Sequence, residues 1–184
     1  MALEAFRTTM WGRFGKALTL LISLAFVGSM ARGSCSSSSK PRLEKGSELP
    51  KAQLIALANG EGPVQLERFL GKPVLLNFWA TWCGYCVREL PLIEKLHQRY
   101  GDRLPILAIS DEDPETIRRW LGRDSAPAMT FPVVYDPGAR LARQLGVKTI
   151  PFSVFLSADG KVAHDVTGVL DEEDAVAQIE KLLK

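Results

Sequence analysis

Two kinds of apolar pattern alternate along this chain. One is the short, near-continuous run left by a strand buried on both faces. Val74, Leu75, Leu76, Phe78 and Trp79 form such a run, and Leu104–Ile109, Phe131–Tyr135 and Phe152–Leu156 repeat it. The other has helical spacing. Leu92 and Leu96 are four apart and Ile93 and Tyr100 seven apart, which predicts a helix over about Gly84–Tyr100. Pro91 lies inside it, so a lost backbone bond and a kink near Arg88 are expected. Asp113 and Pro114 open a second helix, with Ile117, Trp120 and Leu121 on its apolar face. Asp136-Pro137 opens a short third one through Leu141 and Leu145, ended by Gly146. Asp171 opens the last, with acids in its first turn and Lys181 and Lys184 at its end, as the helix dipole favours. Phe152–Leu156 and Lys161–Val166 flank Ser157-Ala158-Asp159-Gly160, a strong hairpin signal. Upstream, Leu54–Leu57, the turn cluster Asn59–Pro63 and Val64–Leu66 predict another hairpin, and Glu67–Leu70 a helical turn ended by Gly71. The order is βαβαβαββα after a small N-terminal addition. Strands joined by helices want a parallel core, and the final hairpin adds an antiparallel pair. The expected fold is therefore α/β, with three layers: a central mixed sheet and helices on both faces.

The N-terminus follows neither pattern. Arg7, Arg13 and Lys16 precede Ala17–Val27, an apolar run with no charge through Ala31. That is the length of a signal-peptide core and short for a membrane span. Ser29-Met30-Ala31 offers a small-x-small cleavage site. Met10 is as sensible a start as Met1. Cys35 follows Gly33-Ser34 and precedes four serines, which resembles a bacterial lipoprotein junction, although Arg32 stands where an aliphatic residue is usual. Cys35 is thus a lipidation candidate. A cleaved signal and a retained anchor are the other two outcomes. Residues 1–34 are read as a signal peptide or membrane anchor, 35–46 as a Ser-rich tether, and 47–184 as the folded domain. Each outcome places that domain outside the cytoplasm, tethered to the membrane or secreted as a soluble protein.

Composition narrows the classes. The length of 184 residues fits one domain plus an extension, and a formal net charge of +2 gives no electrostatic case for nucleic acid. Three cysteines exclude a disulfide scaffold. A zinc site needs about four ligands, and His97 and His164 show no ligand spacing, so no metal is assigned.

The chemistry sits where the strand ending at Phe78 hands over to the first helix. Cys83-Gly84-Tyr85-Cys86 occupies that junction. At a helix N-terminus, unpaired N–H groups and the dipole stabilise a thiolate, the nucleophile of disulfide exchange. Cys83 is read as the exposed attacking thiol and Cys86, one turn in, as the buried resolving thiol. Trp82, directly before Cys83 on a loop, is read as the rim of a docking surface. Asp111, Glu112 and Asp113 read as an acidic loop and helix cap.

The run Asn77-Phe78-Trp79-Ala80-Thr81-Trp82-Cys83-Gly84-Tyr85-Cys86 resembles the thioredoxin superfamily, and more narrowly its extracytoplasmic TlpA/ResA-like thiol-disulfide oxidoreductases. The resemblance covers roughly residues 46 to 184 and implies a thioredoxin-like fold. It implies that Pro151, in Thr149-Ile150-Pro151, is cis and faces the disulfide, presenting the Ile150 backbone to an extended partner. It also points to Glu89, three residues after Cys86, as an acid near the pair. Cytoplasmic thioredoxins carry a buried acid at the position of Asn77, which cannot move a proton, so Glu89 is the candidate general acid/base. Tyr85 departs from the proline common between the cysteines. The resemblance implies a redox-active disulfide with no other cofactor, protein dithiol and disulfide substrates, apocytochrome c among them, and a membrane thiol donor. The open alternatives are a dithiol oxidase of the same fold and a Sco-like copper chaperone, although the latter uses CxxxC. A peroxidase would need a Pro-x-x-x-Thr-x-x-Cys pattern that is missing before the pair.

Overall fold

The computed structural model describes residues 45–47 and 51–184. The expected signal or anchor, Cys35 and nearly all of the tether lie outside the described residues.

The apolar runs become strands and the helical spacings become helices. The chain forms β1 (Gln53–Ala58), β2 (Pro63–Gln65), β3 (Val74–Phe78), α1 (Gly84–Tyr100), β4 (Ile106–Ser110) and α2 (Pro114–Leu121). It continues with β5 (Val133–Tyr135), α3 (Arg140–Gln144), β6 (Phe152–Leu156), β7 (Val162–Thr167) and α4 (Glu172–Leu182). One seven-stranded sheet has the order β2-β1-β5-β4-β3-β6-β7. Strands β3, β4 and β5 are parallel, and β1, β2, β6 and β7 pair antiparallel to their neighbours. The N-terminal hairpin is thus an extension of the main sheet, docked on β5.

Strand parity divides the core in two. Leu75, Ile106, Ala108, Val133 and Phe155 face α1, α2 and α4; Val74, Leu76, Leu107, Val134 and Val154 face α3 and Leu66. These are the two outer layers expected. Asn77 shares the parity of Leu75, and Ser153 that of Phe155. The two polar residues pair across β3 and β6, so both point at α1. That register places the polar part of the site.

The boundaries move where proline intervenes. Strand β4 starts at Ile106 because Pro105 cannot donate to the ladder, and β5 starts after Pro132 for the same reason. The expected helix from Asp136 begins later, at Arg140, because Gly138 and Ala139 have φ of 63° and 52°. Asp136 nevertheless caps it: its carboxylate accepts from the Leu141 N–H at 3.1 Å and the Ala142 N–H at 3.0 Å. Asp113 and Asp171 cap α2 and α4 as expected. Helix α1 runs through Pro91 to Tyr100, and Pro91 has no N–H to donate to the Val87 carbonyl.

One acid of α1 anchors a distant loop. The Glu94 carboxylate accepts from the Thr130 N–H and hydroxyl, both at 2.7 Å, and from the Gln98 amide at 2.9 Å. Burial pushes its pKa up, but these donors outweigh burial and hold it below the ordinary value. Such a group stabilises the fold above the ordinary carboxylate range, and loses that contribution as pH falls through its lowered pKa. Glu94→Ala should cost about 1.5–3 kcal/mol near neutral pH. Urea denaturation checks this, and the gap to the parent should narrow in acid.

Candidate functional site

The site forms at the C-terminal ends of β3 and β4, around the N-terminus of α1. After Phe78 the chain turns through Ala80–Cys83, and the Cys83 N–H closes the turn on the Ala80 carbonyl at 3.1 Å. Cys83 is the N-cap of α1, and the Cys86 N–H donates to its sulfur at 3.2 Å. Cys83 and Cys86 are joined in a disulfide. The helix N-terminus thus delivers a backbone N–H to Sγ, the arrangement that favours a thiolate there on reduction. Cys86 is fully buried. Cys83 is only 7% exposed, more covered than the sequence reading of an exposed thiol. The cover comes from a segment distant in sequence: the Ile150 carbonyl lies 3.9 Å from Cys83 Sγ.

The Ile150–Pro151 peptide is cis. The Ile150 carbonyl thus stands beside the disulfide, directly before the cis bond. Trp82 is 74% exposed and Tyr85 65% exposed, with the Arg88 guanidinium 4.5 Å above the Tyr85 ring. Trp82 and Ile150 both line a groove of about 470 Å³, together with Phe78, Ile109, Val147 and Lys148. Trp82 and Ile150, far apart in sequence, therefore line one groove, and the Ile150 carbonyl reaches back to Cys83; Pro151, next to it, is buried.

Behind the disulfide lies a buried polar network. Glu89 is 2% exposed. Its Oε1 accepts from the Leu170 N–H, and its Oε2 accepts from the Asn77 amide at 2.9 Å. The same Asn77 Nδ2 donates to Ser153 Oγ at 3.1 Å. Burial raises the Glu89 pKa above the ordinary carboxylate value; the Leu170 N–H and the Asn77 amide pull it part of the way back. Glu89 is therefore a buried, partnered acid one turn beyond Cys86, and not a solvated helix acid. The sequence reading singled out Asn77 and Glu89 separately. Their direct bond, and Ser153 as third member, were missed; the signal available was a lone serine inside an apolar strand.

Glu112 was also missed. Its carboxylate accepts from the Thr81 N–H at 2.6 Å and the Thr81 hydroxyl at 2.8 Å. His164 lies on β7 opposite Phe155, its ring 5.8 Å from the phenyl ring. Among the described residues no three His, Cys, Asp or Glu side chains converge as a metal site requires.

Comparison with known proteins agrees with this geometry. The Redoxin family matches residues 44–183. The thiol-disulfide oxidoreductase ResA of Bacillus cereus is 31% identical over 149 residues, covering 80% of this chain and 81% of ResA. ResA of Halalkalibacterium halodurans is 32% identical over 123 residues, 66% of this chain and 68% of the relative. A crystal structure described as a DsbE thiol:disulfide interchange protein from Chlorobium tepidum superposes with a TM-score of 0.70 at 29% identity. It covers 77% of this chain and 99% of that one.

Proposed function

Because this chain belongs to the Redoxin family and is a protein thiol-disulfide oxidoreductase of the ResA and DsbE type, we propose that its Cys83–Cys86 pair reduces disulfides of partner proteins outside the cytoplasm. One observation carries the residue assignments: Cys83 at the helix N-cap is the more accessible sulfur, while Cys86 is buried one turn from the buried acid Glu89.

In the reduced protein the Cys83 thiolate attacks one sulfur of the partner disulfide. The partner's S–S bond breaks, a mixed disulfide to Cys83 forms, and the other partner sulfur leaves as a thiolate and takes up a proton. The Glu89 carboxylate then accepts the proton of Cys86, whose thiolate attacks Cys83 Sγ. The Cys83–Cys86 bond forms and the second partner thiolate leaves. Two electrons have passed from the pair to the partner. Trp82 and the Ile150–Pro151 backbone hold the partner, with the Ile150 backbone pairing to an extended segment. The redox couple is the cysteine pair itself, and the reading assigns no metal or organic cofactor. A membrane thiol donor regenerates the dithiol. The N-terminal segment holds the domain at the outer face of the membrane, by an anchor or by lipid on Cys35. Apocytochrome c, whose haem-binding cysteines must be reduced before haem attachment, is the proposed substrate.

The direction of electron flow is tested by the reduction potential of the Cys83/Cys86 pair, from equilibration with thiol buffers of known potential. A reductant should lie near thioredoxin, at about −270 mV. A potential near −120 mV, typical of strong disulfide donors, would reverse the assigned direction.

A further inference from the structure

Glu112 stands in an acidic run, yet both of its carboxylate oxygens are committed to one residue. The Thr81 N–H donates to Oε2 at 2.6 Å and the Thr81 hydroxyl to Oε1 at 2.8 Å. Glu112 is itself held: its N–H donates to Ser110 Oγ at 3.3 Å, and the Ser110 hydroxyl approaches Oε2 at 3.4 Å. Ser110 is buried at the end of β4. The contact therefore links a rigid strand end to the loop before the cysteines.

Thr81 is the first central residue of the turn Ala80–Cys83. Trp82 is the second, and it forms one wall of the groove beside the disulfide. Ile150 lines the same groove. Two donors on one residue, aimed the same way, call for an acceptor with two oxygens. Water could satisfy each donor separately, but would not tie the turn to β4. We propose that Glu112 is a positioning residue for exchange with protein partners: it fixes the Ala80–Cys83 turn, and with it the Trp82 wall and the approach to Cys83. The bond from the Cys86 N–H to Cys83 Sγ, which belongs to α1, does not pass through Glu112. Docking and intrinsic thiol chemistry should thus separate on mutation. The inference rests on the exchange activity and is independent of its direction.

The test uses the full chain and a peptide carrying an intramolecular disulfide, with exchange measured in both directions. Glu112→Ala should lower kcat/KM for the peptide roughly ten- to hundredfold, chiefly through KM. Exchange with dithiothreitol and the reduction potential should stay at the parent values. Glu112→Gln should recover most of the loss, because its carbonyl still accepts the Thr81 N–H. Adding Thr81→Val to Glu112→Ala should cost little more, since both remove one contact. Unchanged peptide kinetics in Glu112→Ala would overturn the proposal. Equal losses with peptide and dithiothreitol, with a lowered unfolding midpoint, would also overturn it and leave a purely structural contact. Parent protein that exchanges with dithiothreitol but with no disulfide peptide would instead overturn the reading of a protein oxidoreductase.

Discussion

Cys83→Ala should abolish disulfide exchange, whereas Cys86→Ala should stall with the partner covalently attached. The two sulfurs are inequivalent for reasons visible in the backbone. Cys83 Sγ receives the Cys86 N–H at the head of α1 and lies 3.9 Å from the carbonyl of Ile150, which lines the groove with Trp82. Cys86 Sγ, one turn inward, has no path to a partner, because its residue is fully buried. The proposed assignment therefore has Cys83 attack from solution and Cys86 attack Cys83 afterwards. Without Cys83 the rate should fall to the background of free thiols, a loss of several orders of magnitude for a nucleophile. Without Cys86 the first step survives and the second cannot occur. Incubating Cys86→Ala with the disulfide peptide and separating products under non-reducing conditions should show a protein–peptide adduct, released by dithiothreitol. If both variants trap the adduct equally, or both retain turnover, the division of roles is wrong. Neither change should unfold the domain, because the surrounding core of Trp79, Leu90, Ile93 and Phe155 remains. Thermal unfolding of the reduced proteins checks that.

The contrast between these cysteines was legible in the sequence because it depends on neighbours in the chain. So did the strands and helices: each follows from a local period, a cap or a turn. The apolar run of β3, the Asp113 and Asp171 caps and the Asp159-Gly160 hairpin all appear where the pattern puts them. What stayed hidden was the fate of the acids. Glu89, Glu94 and Glu112 carry the same side chain, and nothing nearby distinguishes a solvated acid from a bonded one. Each takes a backbone N–H from a distant residue, Leu170, Thr130 or Thr81, which lie 81, 36 and 31 residues away. Topology brings those groups together, and a one-dimensional period does not contain it. The cover over Cys83 has the same origin, since Ile150 is 67 residues away. Asn77 is the instructive intermediate. Strand parity already aims it at α1, and Ser153 shares that face, so their meeting with Glu89 could have been deduced once the β3–β6 register was assumed.

Glu89→Gln should remove one inflection from the pH profile of mixed-disulfide resolution and slow that step near neutral pH by roughly a hundredfold, the lower range for a positioned general base. To attack Cys83, Cys86 must lose a proton in a site closed to water, and the acid one turn along α1 is the group placed to take it. Glu89 can do so only when ionised. In the parent, resolution should therefore rise with pH through a pKa above the ordinary carboxylate range, because burial raises it while the Leu170 N–H and the Asn77 amide restrain the rise. Glutamine keeps the shape and can still accept the Leu170 N–H, but it takes no proton, so only the thiol inflection should remain. The same raised pKa has a stability signature of defined sign. The folded protein holds the Glu89 proton to a higher pH than the unfolded chain, so Glu89 makes folding less favourable as pH rises from the ordinary carboxylate value through the raised one. Glu89→Gln should flatten that slope. Stopped-flow resolution of a preformed mixed disulfide, alongside urea denaturation across the same pH range, separates the two effects. A flattened stability slope with an unchanged kinetic profile would make Glu89 a structural acid that ties α1 to Leu170 and Asn77, and the proton acceptor for Cys86 would have to be solvent.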